Sequence, residues 1–169
     1  ILEKTIGNKL HKLEFELLVN TDNPARYQTA SHIVKDLKEL GVSVKLVNVA
    51  WDELVQMVLD KKYDAAIMGW LLAPNPDLRF MFASSEIRSG YNFVSYSNSE
   101  LDNILDGAAT NHKDRKELLF KAQEIINRDL PYLFLYSPNK VLALNQKLRG
   151  VKPNPVNIFY NVSEWWVDQ

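Results

Sequence analysis

The sequence of 169 residues contains no cysteine and only six glycines. The absence of cysteine excludes disulfides, thiol catalysis and thiolate metal ligands. The glycines form neither GxxxxGK[ST] nor GxGxxG, so the usual phosphate-binding loops of nucleotide enzymes are missing. No apolar run approaches the ~20 residues of a membrane-spanning helix. The composition, with 46% hydrophobic residues, instead predicts a globular domain with a sizeable core.

The sequence also lacks an excess of charge of either sign, since 20 Lys and Arg residues are balanced by 21 Asp and Glu residues. Nucleic acids and anionic membrane surfaces are bound through basic fields, which this balance does not supply. We therefore expect no nucleic-acid partner.

Residues that would carry catalysis or hold a cofactor are not grouped in the sequence. His11, His32 and His112 lie far apart, without the spacing of a zinc site, so we expect no metal and no other cofactor. The serines form no GxSxG elbow. Trp70 occupies the position where a receiver-like domain would carry its phosphoacceptor. The sequence thus predicts a protein that is not an enzyme.

Strand and helix patterns alternate in the first half of the chain. Strands are predicted at residues 13–20, 42–49 and 64–70, and helices at 24–40 and 51–60, with a turn at Gly7-Asn8 before the first strand. Asn23 is a favourable N-cap for the first helix, Pro24 suits its first position, and Gly41 is expected to terminate it. Short links between these elements predict a βαβαβ unit with a parallel sheet. The expected strand order is second, first, third, with one helix on each face.

This strand order predicts a crevice that binds a ligand. It places a topological switch point between the carboxyl ends of the first and third strands, where open α/β sheets bind their ligands. The loops that follow these two strands meet there, which makes Thr21 and Asn23 candidate contacts. Gly69 allows close approach of another backbone, and Trp70 offers a flat apolar face. The alternative is that Trp70 is a core residue that caps the third strand.

The second half of the chain is predicted to be mainly helical. The expected elements are a helical turn or loop at 80–85, an extended aromatic segment at 90–96, a helix that contains Leu101 to Ala108, a helix from 112 or 113 to 129, and strands at 132–136 and 141–144. The capping box Ser97-x-x-Glu100 is expected to begin the first of these helices.

Several motifs occur together in a characteristic order. They are Tyr63-Asp64 before the third strand, Gly69-Trp70 at its end, Pro76-Asp77, the segment from Asn92-Phe93 to Tyr96 ahead of Leu101-Asp102, and the run from Arg115 to Pro131. Together they resemble the solute-binding proteins of peptide/nickel-type ATP-binding-cassette importers. The resemblance covers nearly the whole chain.

The resemblance implies an α/β lobe of the type II periplasmic-binding-protein fold, with a βαβαβ core of strand order 2-1-3. Such proteins close two lobes over a ligand, and this chain looks like a fragment from their carboxyl-terminal part. Residues 1–130 would form the core of the second lobe, and residues 131–169 a return segment that contacts the missing first lobe. The implied location is extracytoplasmic, in the periplasm or lipid-anchored at the cell surface, with the leader outside this fragment.

The resemblance also implies that an extended peptide pairs edgewise with the strand that ends in Gly-Trp. The candidate ligand-binding residues are Thr21, Asn23, Gly69, Trp70, Leu71, Leu72, Ala73, Asn75, Tyr91 and Asn92. Ala73 occupies the position at which well-understood relatives carry an aspartate for the α-ammonium of the peptide. The ligand could therefore be a capped or internal peptide segment, an oligosaccharide stacked on Trp70, or a peptide whose amine binds the other lobe.

The sequence thus predicts solute binding, with an oligopeptide as the expected ligand and the membrane permease of an importer as the partner. One alternative is an oligosaccharide or another solute bound by a protein of the same family. Two others are an enzyme domain on a flavodoxin-like sheet and a purely structural interaction domain.

Overall fold

A parallel sheet of three strands carries the part of the chain that holds the candidate site. The computed structural model describes residues 3–74, 76–139, 141–154 and 156–168. The chain divides into a first unit, Ile1–Leu71 with Asp77–Asp129, and a second unit, Leu72–Pro76 with Leu130–Gln169. Among the described residues, no helix is both long and apolar enough to cross a membrane.

The sheet of the first unit consists of β3 (Glu14–Asn20), β4 (Ser43–Val49) and β5 (Ala65–Ala66). Its order is β4-β3-β5 and both pairings are parallel. The predicted order of second, first, third strand is therefore confirmed. The central strand β3 is buried on both faces, which explains the continuous apolar run at its carboxyl end.

Two helices cover opposite faces of this sheet, as predicted from the strand order. They are α1 (Pro24–Glu39) and α2 (Trp51–Leu59). The core on the side of α1 consists of Leu17, Val19, Ala30 and Ile67. The core on the side of α2 consists of Leu18, Leu54, Val58 and Phe93. Successive residues of β3 thus point to opposite cores, as the two-residue period of a strand requires.

The ends of α1 follow the sequence signals. The side chain of Asn23 accepts a hydrogen bond from the backbone N–H of Arg26 at 3.0 Å, and Pro24 is the first helical residue. Gly41 follows the helix with a φ of +82°, a conformation that favours glycine. The predicted cap and the predicted end of this helix are both confirmed.

The third strand is much shorter than the predicted range of 64–70. Only Ala65 and Ala66 pair in the ladder, and the backbone N–H of Ile67 adds a bond to the carbonyl of Leu18 at 3.0 Å. Continuing this register places residue 68 opposite Asn20, where β3 ends. Gly69 and the residues after it therefore lie beyond the end of their neighbouring strand. Apolar character predicted a strand there, but these residues have no ladder partner among the described residues.

A hairpin precedes the sheet and was not predicted beyond its turn. It pairs β1 (Glu3–Ile6) with β2 (Lys9–Lys12) in antiparallel register. The predicted turn at Gly7-Asn8 is confirmed, and Gly7 has a φ of +61°.

The remaining elements of the first unit are helices, joined by turns and irregular segments. Its elements are α3 (Arg79–Phe82), a 3-10 turn (Ser84–Ile87), α4 (Ser99–Thr110) and α5 (Arg115–Asp129). The predicted capping box is wrong, because Asn98 is the N-cap of α4 and accepts from the N–H groups of Glu100 and Leu101. Ser97 instead pairs its hydroxyl with that of Ser84 at 3.0 Å. The segment predicted as extended at 90–96 is a turn, with Ser95 at a φ of 55°.

The second unit contains β6 (Leu148–Arg149), a 3-10 turn (Val162–Glu164) and β7 (Trp166–Val167), with β6 and β7 antiparallel. Asn161 is its buried polar centre: it donates to the carbonyl of Gly150 at 2.7 Å and accepts from the indole of Trp165 at 2.9 Å. The predicted strands at 132–136 and 141–144 are wrong, because neither segment finds a ladder partner in the described chain.

One hydrogen-bonded carboxylate joins the end of α5 to the start of α4 and generates a prediction. Asp129 accepts from Arg128 at 2.8 Å, from the hydroxyl of Tyr96 at 2.6 Å and from the amide of Asn98 at 2.9 Å. The Arg128 bond, followed by those from Tyr96 and Asn98, lowers the pKa of Asp129 from 3.8 to about 2. Burial, followed by the hydrogen bond to the same carboxylate, raises the pKa of Tyr96 to about 12.

Because the pKa of Asp129 is lower in the folded chain, its contribution to stability is complete above about pH 4 and is lost as the pH falls towards about 2. Replacing Asp129 by Asn should therefore flatten the acid limb of the stability curve, measured by urea unfolding between about pH 6 and pH 2. Asp36→Asn, on the exposed side of α1, is the matched control. Parallel curves for wild type and Asp129→Asn would contradict the prediction.

Candidate functional site

The candidate site begins just beyond the carboxyl end of β5. Within the described part of the chain, the backbone groups of Gly69, Trp70 and Leu71 form no hydrogen bond. All three residues are exposed, and Leu71 retains 87% of its accessible surface. Because β5 lies at an edge of the sheet, these donors and acceptors continue an unpaired strand edge.

Four rings surround this edge and form what we call the aromatic cluster: Trp70, Phe80, Tyr91 and Phe93. The indole of Trp70 stacks on Phe93 with a centroid distance of 5.4 Å and an interplanar angle of 19°. Phe80 and Tyr91 meet the indole edge-on at 5.0 and 5.9 Å. Phe93 is buried in the α2-side core, whereas Trp70 is 37% and Tyr91 50% exposed. The indole is thus anchored to the core and still presents apolar surface to solvent.

A buried amide holds the turn that carries two of these rings. Asn92 is fully buried; its side chain donates to the carbonyls of Ala83 at 3.0 Å and Tyr96 at 2.8 Å and accepts from the N–H of Tyr96 at 3.0 Å. These bonds use both N–H donors of the amide and one of the two acceptor positions of its oxygen. The predicted ligand contact of Asn92 stays a prediction, and what the structure gives its side chain is a role in positioning Tyr91 and Phe93.

Two side chains fasten the same turn to the sheet layer. The Lys61 ammonium donates to the carbonyl of Asn92 and lies 5.9 Å from the ring centre of Phe93. The Tyr63 hydroxyl donates to the carbonyl of Phe93 at 2.9 Å. Burial lowers the pKa of Lys61 and raises that of Tyr63, because a less polar environment favours the neutral form of each side chain.

The remaining predicted contacts occupy different places. Thr21 is exposed just after β3, and Asn23 is half-buried with its side-chain oxygen on the cap of α1. Leu72 and Ala73 are exposed and belong to the second unit. Asn75 lies outside the described residues. The first unit therefore brings Gly69, Trp70 and Tyr91 together, and the ligand contacts of all these residues stay predictions.

Sequence reasoning missed Arg26, which lies at the ends of all three strands. Its Nη1 donates to the side-chain oxygen of Asn20, the last residue of β3, at 3.0 Å. The guanidinium lies 5.0 Å from the ring centre of Trp51, which begins α2 after β4. Its Nη2 is 3.4 Å from the point where a Cβ on Gly69 would lie. The available signal was a cation in the first turn of a helix, where the helix dipole disfavours positive charge.

The site offers binding groups of three kinds: backbone donors and acceptors, aromatic faces and one guanidinium. Among the described residues, no cluster of three histidine or acidic side chains is suited to a metal ion. A separate depression, lined in part by Asp77, Arg79 and Asp106, has a volume of about 410 Å³. Arg79 pairs there with Asp77 at 2.5 Å and with Asp106 at 3.7 Å, so its positive charge is already paired within the protein.

Comparison with known proteins identifies the family. The family model described as bacterial extracellular solute-binding proteins, family 5 Middle, matches residues 2–90, which is more than half of the chain. The chain belongs to this family. The resemblance read from the sequence motifs is therefore confirmed.

Family 5 relatives match well beyond this region. The oligopeptide-binding protein AppA of Bacillus subtilis is 36% identical over 161 residues, which are 92% of this chain and 30% of that protein. The probable di/tripeptide-binding protein 5 of Pseudomonas aeruginosa is 29% identical over 138 residues, or 79% of this chain and 26% of that protein. This chain thus spans about a third or less of the length of these relatives.

The structural comparison agrees. The structure of B. subtilis AppA in complex with a nonapeptide superposes with a TM-score of 0.78 and 32% identity, and the match covers 99% of this chain and 35% of that one. The predicted α/β lobe of the type II periplasmic-binding-protein fold is confirmed.

The role of Asn92 generates a prediction about the site. Asn92→Ala should lower the free energy of unfolding by about 3 kcal/mol, since it leaves the backbone groups of Tyr96 without partners at ~1–3 kcal/mol each. It should also weaken the near-ultraviolet circular dichroism of Trp70, because Tyr91 and Phe93 lose their fixed positions. Asn103→Ala, on the exposed face of α4, is the control. An unfolding midpoint equal to that of the control would show that the amide does not hold the turn.

Proposed function

We propose that this chain is part of a two-lobed solute-binding protein that captures an oligopeptide in the crevice between its lobes for an ATP-binding-cassette importer. The observation that carries the proposal is the open backbone edge from Gly69 to Leu71 next to an exposed indole. The names of the relatives, which are peptide-binding proteins, support the same ligand class.

An extended peptide suits this edge for a physical reason. Peptides have the same main-chain donors and acceptors whatever their sequence, so pairing through the backbone tolerates different side chains. Each such hydrogen bond contributes ~0.5–1.5 kcal/mol net. The exposed faces of Trp70 and Tyr91 add apolar contact with the side chains of the peptide. Thr21, Asn23, Leu72, Ala73 and Asn75 complete the proposed contact set.

The chain also carries apolar surface that a second lobe would cover. Residues 1–130 are proposed as the core of one lobe and residues 131–169 as the return segment to the other. In the return segment Leu133 and Val141 are 80% and 91% exposed, and Phe134, Leu135 and Tyr136 are exposed as well. Such a run of exposed large apolar residues is typical of a surface that another part of a protein covers.

The partner and the location follow from this function. A solute-binding protein delivers its ligand to a membrane permease, so the protein would work outside the cytoplasmic membrane, in the periplasm or lipid-anchored at the cell surface. Its action would be binding and release without chemical change of the ligand. The family description, which names extracellular solute-binding proteins, supports this proposal.

The exposed indole favours one alternative ligand. Sugar rings stack on tryptophan faces, so an oligosaccharide could use Trp70 without using the backbone edge. If the ligand is an oligosaccharide, its affinity should depend on the indole of Trp70 and should be independent of changes in a peptide main chain. The two ligand classes therefore differ in which group of the site they need.

Peptides methylated on main-chain nitrogens test the backbone edge. In the complete two-lobed protein, we expect calorimetry to show that each methylated amide facing Gly69–Leu71 weakens binding by about 2- to 10-fold, the equivalent of ~0.5–1.5 kcal/mol. Trp70→Ala should weaken peptides further, whereas Phe120→Ala, an exposed ring on α5, should not. Tight binding of oligosaccharides together with indifference to N-methylation would overturn the peptide proposal in favour of the alternative.

The isolated 169-residue chain should bind the same peptides at least about a hundredfold more weakly than the complete protein. One lobe supplies only part of the contacts, and each ~1.4 kcal/mol lost is a factor of ten in affinity. Parallel calorimetric titrations of both proteins check this. Equal affinities would mean that the ligand is not held between two lobes.

A further inference from the structure

We propose that Lys61 is a positioning residue for ligand binding, which keeps the indole of Trp70 in place by fastening the turn that carries Phe93. This inference rests on the proposed function, because it concerns the aromatic surface that is offered to the peptide. The candidate contacts read from the sequence do not include Lys61. The proposal also accounts for a lysine in a backbone conformation that favours glycine.

Lys61 has a left-handed backbone conformation just after α2, with a φ of 58°. Its N–H donates to the carbonyl of Val58 at 3.2 Å, and the N–H of Lys62 donates to the carbonyl of Met57 at 2.8 Å. These two bonds define a Schellman motif, in which the residue at the place of Lys61 is usually glycine. Other residues are disfavoured there, because their Cβ comes too close to the following carbonyl oxygen.

The end of α1 shows the same motif with the expected residue. The N–H of Gly41 donates to the carbonyl of Lys38 at 3.0 Å, and Gly41 has a φ of +82°. The N–H of Val42 donates to the carbonyl of Leu37 at 2.9 Å. The end of α1 therefore avoids the steric cost of a Cβ, whereas the end of α2 carries it.

The side chain of Lys61 makes contacts that offset this cost. Residues in disfavoured backbone conformations persist where their surroundings hold them, and they cluster at functional sites. The ammonium donates to the carbonyl of Asn92 and lies 5.9 Å from the ring centre of Phe93. Hydrogen bonds from a charged donor are stronger than neutral ones, and a cation is attracted to an aromatic ring. Both contacts are made to the turn of the aromatic cluster.

Phe93 connects these contacts to the candidate site. Its ring stacks on the indole of Trp70 at a centroid distance of 5.4 Å. Lys61 and Tyr63 bind two successive carbonyls of the turn, those of Asn92 and Phe93. Loss of the ammonium should therefore loosen the ring of Phe93 and, with it, the exposed indole of Trp70.

Three substitutions separate the charge of Lys61 from its backbone conformation. Lys61→Met removes the ammonium and keeps a Cβ, Lys61→Gly removes both, and Lys61→Arg keeps a cation. Two other variants are controls. Lys62→Met removes the neighbouring ammonium, which pairs with Asp60 at 2.9 Å. Gly41→Lys adds a Cβ in the matching conformation next to the amino end of β4, at the opposite end of the sheet from the site.

The orientation of the indole is measured in the ¹⁵N-labelled 169-residue chain without any ligand. The indole N–H signal of Trp70, assigned by its loss in Trp70→Phe, responds to the ring currents of the neighbouring rings. We expect Lys61→Met and Lys61→Gly to shift this signal, and Lys61→Arg and both controls to leave it near the wild-type position.

Thermal unfolding of the same chains measures the backbone cost. Lys61→Gly should melt about 2–4 °C above Lys61→Met, because glycine removes the steric cost of the Cβ. Gly41→Lys should melt at least about 2 °C below wild type for the same reason.

Affinity is measured by calorimetry in the complete two-lobed protein, with the unmethylated peptide of the N-methylation experiment. Lys61→Met and Lys61→Gly should each weaken binding at least about threefold, and Lys61→Arg and both controls should stay within about twofold of wild type. Lys61→Gly should thus be more stable than Lys61→Met and bind no better. A residue that acted through stability alone would not separate the two properties.

A Trp70 signal that stays unchanged in Lys61→Met and Lys61→Gly would overturn the proposal. Affinities that follow the melting temperatures of the variants would also overturn it, as would an equal loss of affinity in Lys62→Met, which would reflect net charge alone. Lys61→Gly keeps the test valid if Lys61→Met fails to fold, because glycine is favoured at this position. The indole signal needs no ligand, so this proposal and the peptide proposal fail separately.

Discussion

The structure of the first unit depends on β3 being buried on both faces. Leu17 and Val19 point to the core beneath α1, and Leu18 points to the core beneath α2, so both layers pack on the same seven-residue strand. A strand buried in this way must have partners on both edges, which β4 and β5 supply. Because β3 ends at Asn20, the residues from Gly69 onwards have no β3 residue with which to pair. The unpaired backbone of the candidate site therefore follows from the end of β3 at Asn20 and from the edge position of β5.

The same cores determine what the site presents to a ligand. Phe93 belongs to the α2-side core and also stacks on Trp70, so the orientation of an exposed ring is set by buried packing. Asn92 and Tyr63 fix the turn next to it through hydrogen bonds in a poorly hydrated environment, where such bonds are costly to lose. On the other side, Arg26 connects the first helical turn to Asn20 and Trp51. The candidate site is thus flanked by the aromatic cluster and by the guanidinium of Arg26.

Periodicity was sufficient to predict the βαβαβ core from the sequence. The alternation in β3 and β4, the cap at Asn23 and the stop at Gly41 are local signals, and these were confirmed, whereas the local capping-box signal at Ser97 was not. The errors in strand prediction share a cause: residues 132–136, 141–144 and the end of the third strand have strand-like composition but no neighbouring strand in the described part of the chain. Strand formation needs a partner, which composition does not reveal. At the site, Gly69 and Trp70 were found by their residue types, whereas Arg26 was not, because its place beside Gly69 depends on contacts distant in sequence.

The division of the chain has a consequence for how it folds during synthesis. The first unit is discontinuous, since residues 72–76 belong to the second unit and lie between its two parts. Phe93, a member of the core beneath α2, lies on the far side of that interruption. A ribosome therefore delivers all of β3, α2 and β5 before the ring that completes their packing is available. The apolar layer beneath α2 therefore stays incomplete while residues 72–76 are synthesised. It is completed only after translation has reached Phe93.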